Sequence, residues 1–171
     1  TGKDAIHYAM AWRDHFYVTT NEGAPRFRVF KVDAMHPERD RWREIVPERS
    51  DATLDYAEVV GEHLVCVYTR NATNEMEVRT LEGALVRMVE LPGIGSASGM
   101  VGNPDEDDAY FYFSSYTVTP RIYRTSVKTG ATTLWATIEI PVDLSLMTTD
   151  QVWYTSRDGT KVSMFLVHRK E

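Results

Sequence analysis

Cys66 is the residue of this 171-residue chain that could most directly act as a nucleophile. It is the only cysteine, and it stands in the run HLVCVY at residues 63–68. Such an apolar run is typical of a buried strand, and burial without a cationic neighbour raises the pKa of a thiol. We therefore expect Cys66 to be unreactive and to pack as a small hydrophobic side chain.

A serine nucleophile would stand in a Gly-x-Ser-x-Gly turn between a strand and a helix. The nearest match is GSASG at residues 95–99, and its central residue is Ala97. This pattern predicts small residues that lead into a strand. We therefore expect no catalytic residue within the chain.

Metal ligands at suitable spacing are also missing from the sequence. No pair among the five histidines has the close spacing of a helical zinc motif, and no second cysteine accompanies them. The acidic run NPDEDD at residues 103–108 lacks the spaced ligands, central glycine and final glutamate of a calcium loop. The sequence predicts a solvated turn there, and no metal or cofactor.

Composition excludes several classes of protein. A net charge of −6 and a pI near 5.4 argue against a protein that binds nucleic acid or a membrane surface, because both usually need a basic face. No apolar run approaches the roughly 20 residues of a membrane span, and no signal peptide is apparent. A single cysteine suits a reducing compartment, so we expect a cytoplasmic protein, with the periplasm as the alternative.

A repeat of strand-like runs indicates how the chain is organised. Similar aromatic and β-branched runs occupy residues 15–20, 63–69 and 109–115. Phe16 and Leu64 are 48 residues apart, and Leu64 and Tyr110 are 46 apart. Among all-β folds, a period of this length is typical of propeller blades.

The neighbouring runs repeat with the same period, which predicts four strands in each unit. We expect an all-β fold, a partial β-propeller with three four-stranded antiparallel blades near residues 5–48, 55–92 and 96–139. A propeller of this kind usually has four to eight blades, so three would leave two uncovered blade faces. We therefore expect self-association, and we expect the tryptophans to pack between blades. They are Trp12, Trp42, Trp135 and Trp153.

A β-hairpin is predicted at the C-terminal end of the chain. Residues 151–171 contain two apolar runs around SRDGT, in which Asp158 and Gly159 form a strong hairpin signal because the turn needs a positive φ. Residues 140–150 would then be a linker between the blades and this hairpin. The first residue is Thr1 rather than methionine, so we expect the chain to be an internal part of a longer protein.

The segment YTSRDGTKVSMFLVHRK at residues 154–170 closely resembles the place where prolyl oligopeptidases leave their propeller and enter an α/β-hydrolase domain. Residues 41–48, RWREIVPE, are similar to the family's strand-closing motif, and residues 113–123, FSSYTVTPRIY, to its last-blade motif. Ser163 stands where the family often has proline. The resemblance extends over essentially the whole chain.

This resemblance implies the last three blades of a seven-bladed propeller, followed by the first hairpin of a hydrolase domain. It implies a parent serine endopeptidase that cuts short peptides after proline, with its catalytic triad beyond the C-terminal end of this chain. The family's substrate-contacting propeller residues would precede Thr1, so the chain alone should not be an enzyme. Its partners would be the hydrolase domain and, in the full enzyme, short proline-containing peptides that the propeller admits by size.

Two alternatives stay open from the sequence. A stand-alone propeller could serve as a protein-interaction module, although such a module has no reason to append an apolar hairpin. A propeller of the oligopeptidase B type would serve an enzyme that prefers basic residues to proline. The acidic pockets that distinguish this enzyme would lie outside the chain.

Overall fold

The computed structural model describes residues 4–141 and 143–170. Within them the chain forms fourteen strands, and its helical part is one 3₁₀ turn, Arg39–Arg41. No helix in these residues is long and apolar enough to cross a membrane. The strands are β1 His7–Trp12, β2 His15–Thr20, β3 Arg28–Asp33, β4 Arg43–Val46, β5 Thr53–Val60, β6 His63–Arg70, β7 Thr73–Arg79, β8 Leu85–Met88, β9 Ser96–Gly102, β10 Asp108–Ser114, β11 Arg121–Ser126, β12 Thr132–Thr137, β13 Met147–Thr155 and β14 Lys161–Arg169.

The first twelve strands form three four-stranded antiparallel sheets, each in chain order. We call them blade 1 (β1–β4), blade 2 (β5–β8) and blade 3 (β9–β12). This arrangement confirms the predicted fold class, an all-β partial propeller. The alternating run at residues 26–32 predicts a strand with Phe27 and Val29 on one face, but Phe27 has a φ of 66° and lies in a turn, so β3 begins at Arg28.

Blade 2 packs on both of its faces, and the alternation along β6 shows how. Leu64, Cys66 and Tyr68 belong to the cluster shared with blade 1. Val65 and Val67, on the opposite side of the same strand, belong to the cluster shared with blade 3. Successive side chains of a strand point to opposite faces, so one strand supplies both cores.

The blades are arranged as wedges. The first strand of each following blade lies closest to the preceding blade: β5 contacts β2, and β9 contacts β7, β5 and β6. The fourth strands β4 and β8 do not approach each other in this way among the described residues. The blades therefore diverge outward, and the first strands lie on the side of the propeller axis.

The two outer faces differ, which corrects the expectation of two equally uncovered faces. On blade 1, Val18, Phe30 and Val32 are buried because the connection before β4 folds over them. Trp42 packs on Phe30 with 5.7 Å between ring centroids, and the guanidinium of Arg39 lies over both rings. The outer face of blade 3 is open and exposes apolar side chains. They include Val101, Tyr112, Ile122 and Trp135.

The prediction that all four tryptophans pack between blades is wrong for three of them. Trp135 is 59% exposed, because a bulge in the pairing of β11 with β12 leaves it without a partner and its ring lies against Tyr110 on the open face. Trp153 is also exposed, on the hairpin. Trp12 does pack against the cluster between blades 1 and 2. Trp42 covers the outer face of blade 1 instead.

The C-terminal hairpin is formed by β13 and β14 and begins at Met147, inside the span that the sequence suggested as a linker. At its turn the Gly159 amide donates to the Ser156 carbonyl at 3.0 Å, and Gly159 has a φ of 86°. The hairpin touches the blades through one of its faces. The Gln151 amide donates to the Asn71 carbonyl of blade 2, and Phe165 packs on Tyr116 of blade 3.

Candidate functional site

Cys66 is completely buried between blades 1 and 2. Burial penalises the thiolate and raises the pKa of Cys66 to about 12. The thiol therefore stays protonated at neutral pH, which confirms that it is a packing residue.

The GSASG run also has a structural position. Ala97 lies in β9 and is buried in the cluster between blades 2 and 3. A Cβ atom on Gly95 would approach the Phe113 ring and the Ser114 carbonyl, so the small residues let β9 lie close to β10. These residues contribute to packing.

The acidic turn at residues 103–108 connects blade 3 to blade 2. Its Asn103 and Pro104 carbonyls accept hydrogen bonds from the amides of Gly61 and Glu62, at 3.1 and 2.8 Å. The Asn103 side chain accepts from the Asp105 amide within the turn. The two main-chain hydrogen bonds join the β5–β6 turn of blade 2 to the β9–β10 turn of blade 3. The acidic turn therefore links neighbouring blades.

A histidine–aspartate pair that sequence reasoning missed lies on the hairpin. His168 Nε2 is 2.7 Å from Asp150 Oδ2, and its Nδ1 is 2.8 Å from the Arg169 carbonyl. The hydrogen bond with Asp150 raises the pKa of His168. Both partners accept hydrogen bonds, so the arrangement favours the protonated ring and leaves no ring nitrogen free to activate a nucleophile.

A recess opens between the first strands of blades 1 and 2, on the axis side of the wedge. We call it the axial recess, and its volume is about 300 Å³. The Val59 amide donates to Met10 Sδ at 3.4 Å and joins the two strands beside it. Its lining combines aromatic, acidic and small residues. They are Tyr8, Ala9, Met10, Tyr17, Thr19, Asp55, Tyr56, Ala57 and Glu58.

Two carboxylates border the axial recess and differ in their surroundings. Asp55 Oδ2 accepts a hydrogen bond from Thr69 Oγ1 at 2.5 Å and lies 3.4 Å from Asn74 Nδ2. The Glu58 side chain lies on the opposite face of β5, half-buried, and burial raises the pKa of its carboxyl group. The sequence did not reveal this site, because its residues come from two different blades. The one feature of the sequence that hinted at the recess is that Tyr8 and Tyr56 occupy equivalent positions in the first strands of two consecutive blades.

Comparison with known proteins connects this architecture to one family. The model for "Prolyl oligopeptidase, N-terminal beta-propeller domain" matches residues 2–137. The prolyl endopeptidase of Elizabethkingia meningoseptica is 30% identical over 171 residues, which are 99% of this chain and 24% of that protein. The dual function macrocyclase-peptidase POPB of Galerina marginata is 29% identical over 160 residues, covering 90% of this chain and 22% of that protein.

Solved structures show the same relationship. One from a study of two prolyl endopeptidases superposes with a TM-score of 0.89 at 50% identity and covers 99% of this chain and 25% of that one. The apo structure of prolyl oligopeptidase B from Galerina marginata gives a TM-score of 0.87 at 25% identity, with the same coverage. The chain thus spans about a quarter of the length of the relatives it matches. It belongs to the prolyl oligopeptidase family of serine peptidases and represents part of that family's β-propeller domain.

Proposed function

We propose that this chain is the non-catalytic propeller portion of a serine endopeptidase that cleaves short peptides after proline, and that it limits which peptides reach the catalytic domain. The family match over residues 2–137 supports the parent activity. The observation that carries the access role is the wedge arrangement, with first strands on the axis side and two packed interfaces behind them. A reducing compartment, the cytoplasm, suits the unpaired Cys66.

The access role follows from the rigidity of such a wall. Tightly packed cores cannot be deformed without loss of contacts, so blades 1 to 3 would keep a channel of constant width. A nucleophile behind that channel meets only chains narrow enough to enter, which protects folded proteins from cleavage. In the two prolyl endopeptidases of the related structure, inter-domain dynamics have a role in catalysis and specificity.

The hairpin face that does not touch the blades supports a packing contact with the catalytic domain of the full-length peptidase. Paired residues share a face, and the pairs Tyr154–Val162, Val152–Met164 and Asp150–Leu166 point away from the face that touches the blades. Tyr154, Met164 and Leu166 are exposed there. We propose that this apolar face packs on the first part of the hydrolase domain.

The chain alone is expected to show no turnover of a proline-containing chromogenic peptide. A chimera in which this chain replaces the matched 171 residues of the Elizabethkingia meningoseptica prolyl endopeptidase should hydrolyse that peptide and leave uncut a folded protein that carries a proline in an exposed loop. Release of chromophore and electrophoresis of the folded substrate give the two readouts. Turnover by the chain alone, or cleavage of the folded substrate by the active chimera, would contradict the proposal.

The isolated chain is expected to self-associate through its exposed apolar surfaces. Those are the open face of blade 3 and the free face of the hairpin, and monomers rarely expose large contiguous patches of this kind. Sedimentation velocity at micromolar concentration should show a dimer or larger species. The double substitution Ile122→Thr and Trp135→Thr should shift the distribution toward monomer, and Met35→Thr, which is exposed on blade 1, should not. A wild-type monomer under these conditions would show that the expectation is wrong.

A further inference from the structure

The guanidinium of Arg121 has no partner among the described residues, although part of it is screened from water. Arg121 is the first residue of β11, and its Nε lacks both solvent contact and a hydrogen-bond acceptor. Arg28 also has a screened Nε without an acceptor, but its Nη atoms donate to the Glu44 carboxylate at 2.8 Å and to the Glu22 carbonyl at 2.6 Å. A donor withdrawn from water without an acceptor costs free energy, so the surroundings of Arg121 favour an incoming acceptor.

The pairing of the strands shows which way Arg121 points. It stands opposite Phe113 in β10 and opposite Thr137 in β12, and residues directly opposite each other in a sheet share a face. Phe113 belongs to the cluster between blades 2 and 3. Arg121 therefore lies on the side of blade 3 that faces blade 2, at the end of the sheet where the chain leaves β12.

A recess opens beside Arg121 where the chain passes from blade 3 to the C-terminal hairpin. We call it the junction recess, and its volume is about 590 Å³. Its lining includes Val118 from the connection between β10 and β11, Leu144 from the connection after β12, and Met147 and Lys170 at the base of the hairpin. This volume is within the range of ligand sites and is ample for an acidic side chain.

The other ionic groups of the junction recess leave Arg121 available. Lys170 Nζ donates to the Ser145 carbonyl at 2.7 Å and forms no ion pair with a described residue. Asp143 is engaged within its own turn, where its Oδ1 accepts from the Ser145 amide at 2.9 Å. Glu139 is exposed and is not paired with Arg121. The described carboxylates of the lining thus leave the charge of Arg121 uncompensated.

The chemistry of a guanidinium selects the kind of group that fits. Its planar array of N–H donors matches the two oxygens of a carboxylate, which can accept two parallel hydrogen bonds from it. Such a pair would satisfy the Nε–H donor and neutralise the charge of Arg121 together. A neutral amide could accept a hydrogen bond but would leave the charge unpaired.

We propose that the junction recess receives a carboxylate side chain of the catalytic domain of the parent peptidase, which pairs with Arg121. The base of the hairpin borders the recess, so the domain on which the hairpin packs brings its own side chains close to Arg121. The identity of the partner as the catalytic domain rests on the proposed function. The preference for a carboxylate rests on Arg121 and its surroundings alone.

Titration of the isolated chain followed by nuclear magnetic resonance tests the carboxylate preference. The Nε–H signal of Arg121 is identified by its loss in Arg121→Lys and is followed during addition of acetate, acetamide or phosphate at constant ionic strength. Acetate should shift this signal with half-saturation on the order of 10 mM, and acetamide should not. Absence of a saturable shift with acetate would overturn the inference. Saturation by phosphate alone would overturn the choice of a carboxylate.

Two variants of the chain connect the response to the recess. Arg124→Gln is the matched control, because Arg124 lies in the same strand but pairs with Asp108 at 3.2 Å, and it should leave the acetate response of Arg121 unchanged. Glu139→Gln removes an unpaired carboxylate of the lining and should leave the response equal or stronger. A response seen only in Glu139→Gln would show that the chain supplies its own partner, and it would overturn the proposal.

Thermal unfolding of the full-length peptidase tests the identity of the partner. Arg121→Gln should lower the unfolding midpoint more in the full-length protein than in the isolated chain, because only the former contains the acidic side chain. We expect the two losses to differ by about 2 °C or more. Arg124→Gln should lower the midpoint equally in both. Equal losses for Arg121→Gln in the two proteins would overturn the assignment to the catalytic domain.

These measurements separate the ion pair from the access role. None of them depends on peptidase activity, so absence of an acetate response would leave the access role untouched. Conversely, cleavage of the folded substrate by the chimera would contradict the access role and would leave the pairing of Arg121 with a carboxylate untouched.

Discussion

Replacement of Arg49 by alanine is expected to lower the free energy of unfolding by about 2–3 kcal/mol. Arg49 lies in the connection between blades 1 and 2 and holds Asp51 with two parallel hydrogen bonds of 3.0 Å. Its Nη1 also lies 3.0 Å from Glu75 and 3.3 Å from Glu77, and the guanidinium sits 4.9 Å from the centroid of the Tyr68 ring. Since one side chain joins four groups, its removal weakens the connection between the blade linker and β7, in which only the exposed Arg70 still pairs with Asp51 and Glu75.

The size of this effect depends on Glu77, whose side chain is only 5% exposed. Breaking a buried ion pair costs about 3–5 kcal/mol because the remaining charge has no compensation. Arg79 also holds Glu77, with Nε at 2.7 Å from its carboxylate, so part of the compensation survives. The expected loss is smaller for that reason. Urea denaturation at one fixed, low protein concentration measures it, because self-association would otherwise add stability.

Arg70→Ala is the matched control for Arg49→Ala. Arg70 pairs with two of the same carboxylates, Glu75 and Asp51, but its side chain is 45% exposed. Exposed pairs contribute about 0–1 kcal/mol, so this variant should unfold close to the wild type. Equal losses for the two arginines would show that burial of Glu77 does not set the energy. In an Arg49→Ala background, Glu77→Gln should cost less than it does in the wild type.

The pH dependence of the same network follows from Asp51. Its hydrogen bonds from Arg49 hold the pKa of its carboxyl group below the ordinary value. A lowered pKa gives stability that is present above the unfolded-state pKa and is lost as pH falls through the folded-state pKa. The wild type should therefore lose more of its stability than Arg49→Ala during acidification.

Strand positions could be predicted where polar residues border an alternating apolar run. β2 has the predicted bounds, His15–Thr20, because its neighbours at both ends are turn residues. The apolar pattern predicts a strand from Met76 after a polar turn at residues 70–74, but β7 begins at Thr73, because Asn71 and Ala72 both take positive φ in a tight turn. Positive φ at residues other than glycine leaves no trace in hydrophobic periodicity. The pattern alone could not locate these turns.

The axial recess could not be predicted for a different reason. Tyr8 and Ala57 lie in separate blades, and their proximity depends on how closely β1 approaches β5. A strand pattern states which face a side chain occupies but contains no information on the distance between two sheets. The covered outer face of blade 1 has the same origin, because it depends on the path of the connection that brings Trp42 over Phe30. Both features arise from tertiary packing.

Replacement of Gly83 by alanine is expected to lower the free energy of unfolding by about 3–4 kcal/mol. Gly83 lies in the turn between β7 and β8, with a φ of 91°, and a Cβ atom there would stand 1.8 Å from the Ile45 carbonyl oxygen of blade 1. Backbone cannot rotate away as a side chain can, so the turn must move. That movement would disturb the Glu82–Lys31 ion pair and the hydrogen bond from Arg79 to the Gly83 carbonyl.

Gly23→Ala separates this steric effect from backbone strain. Gly23 also has a positive φ, of 64°, but a Cβ atom there would meet only the Arg28 side chain, at an ordinary contact distance of 3.5 Å. Its cost should be the conformational one alone, about 1–2 kcal/mol. Urea denaturation of both variants should therefore differ by about 2 kcal/mol. Equal losses would mean that blade 2 can shift away from blade 1 at little cost, and that the contact at Ile45 does not hold the wedge together.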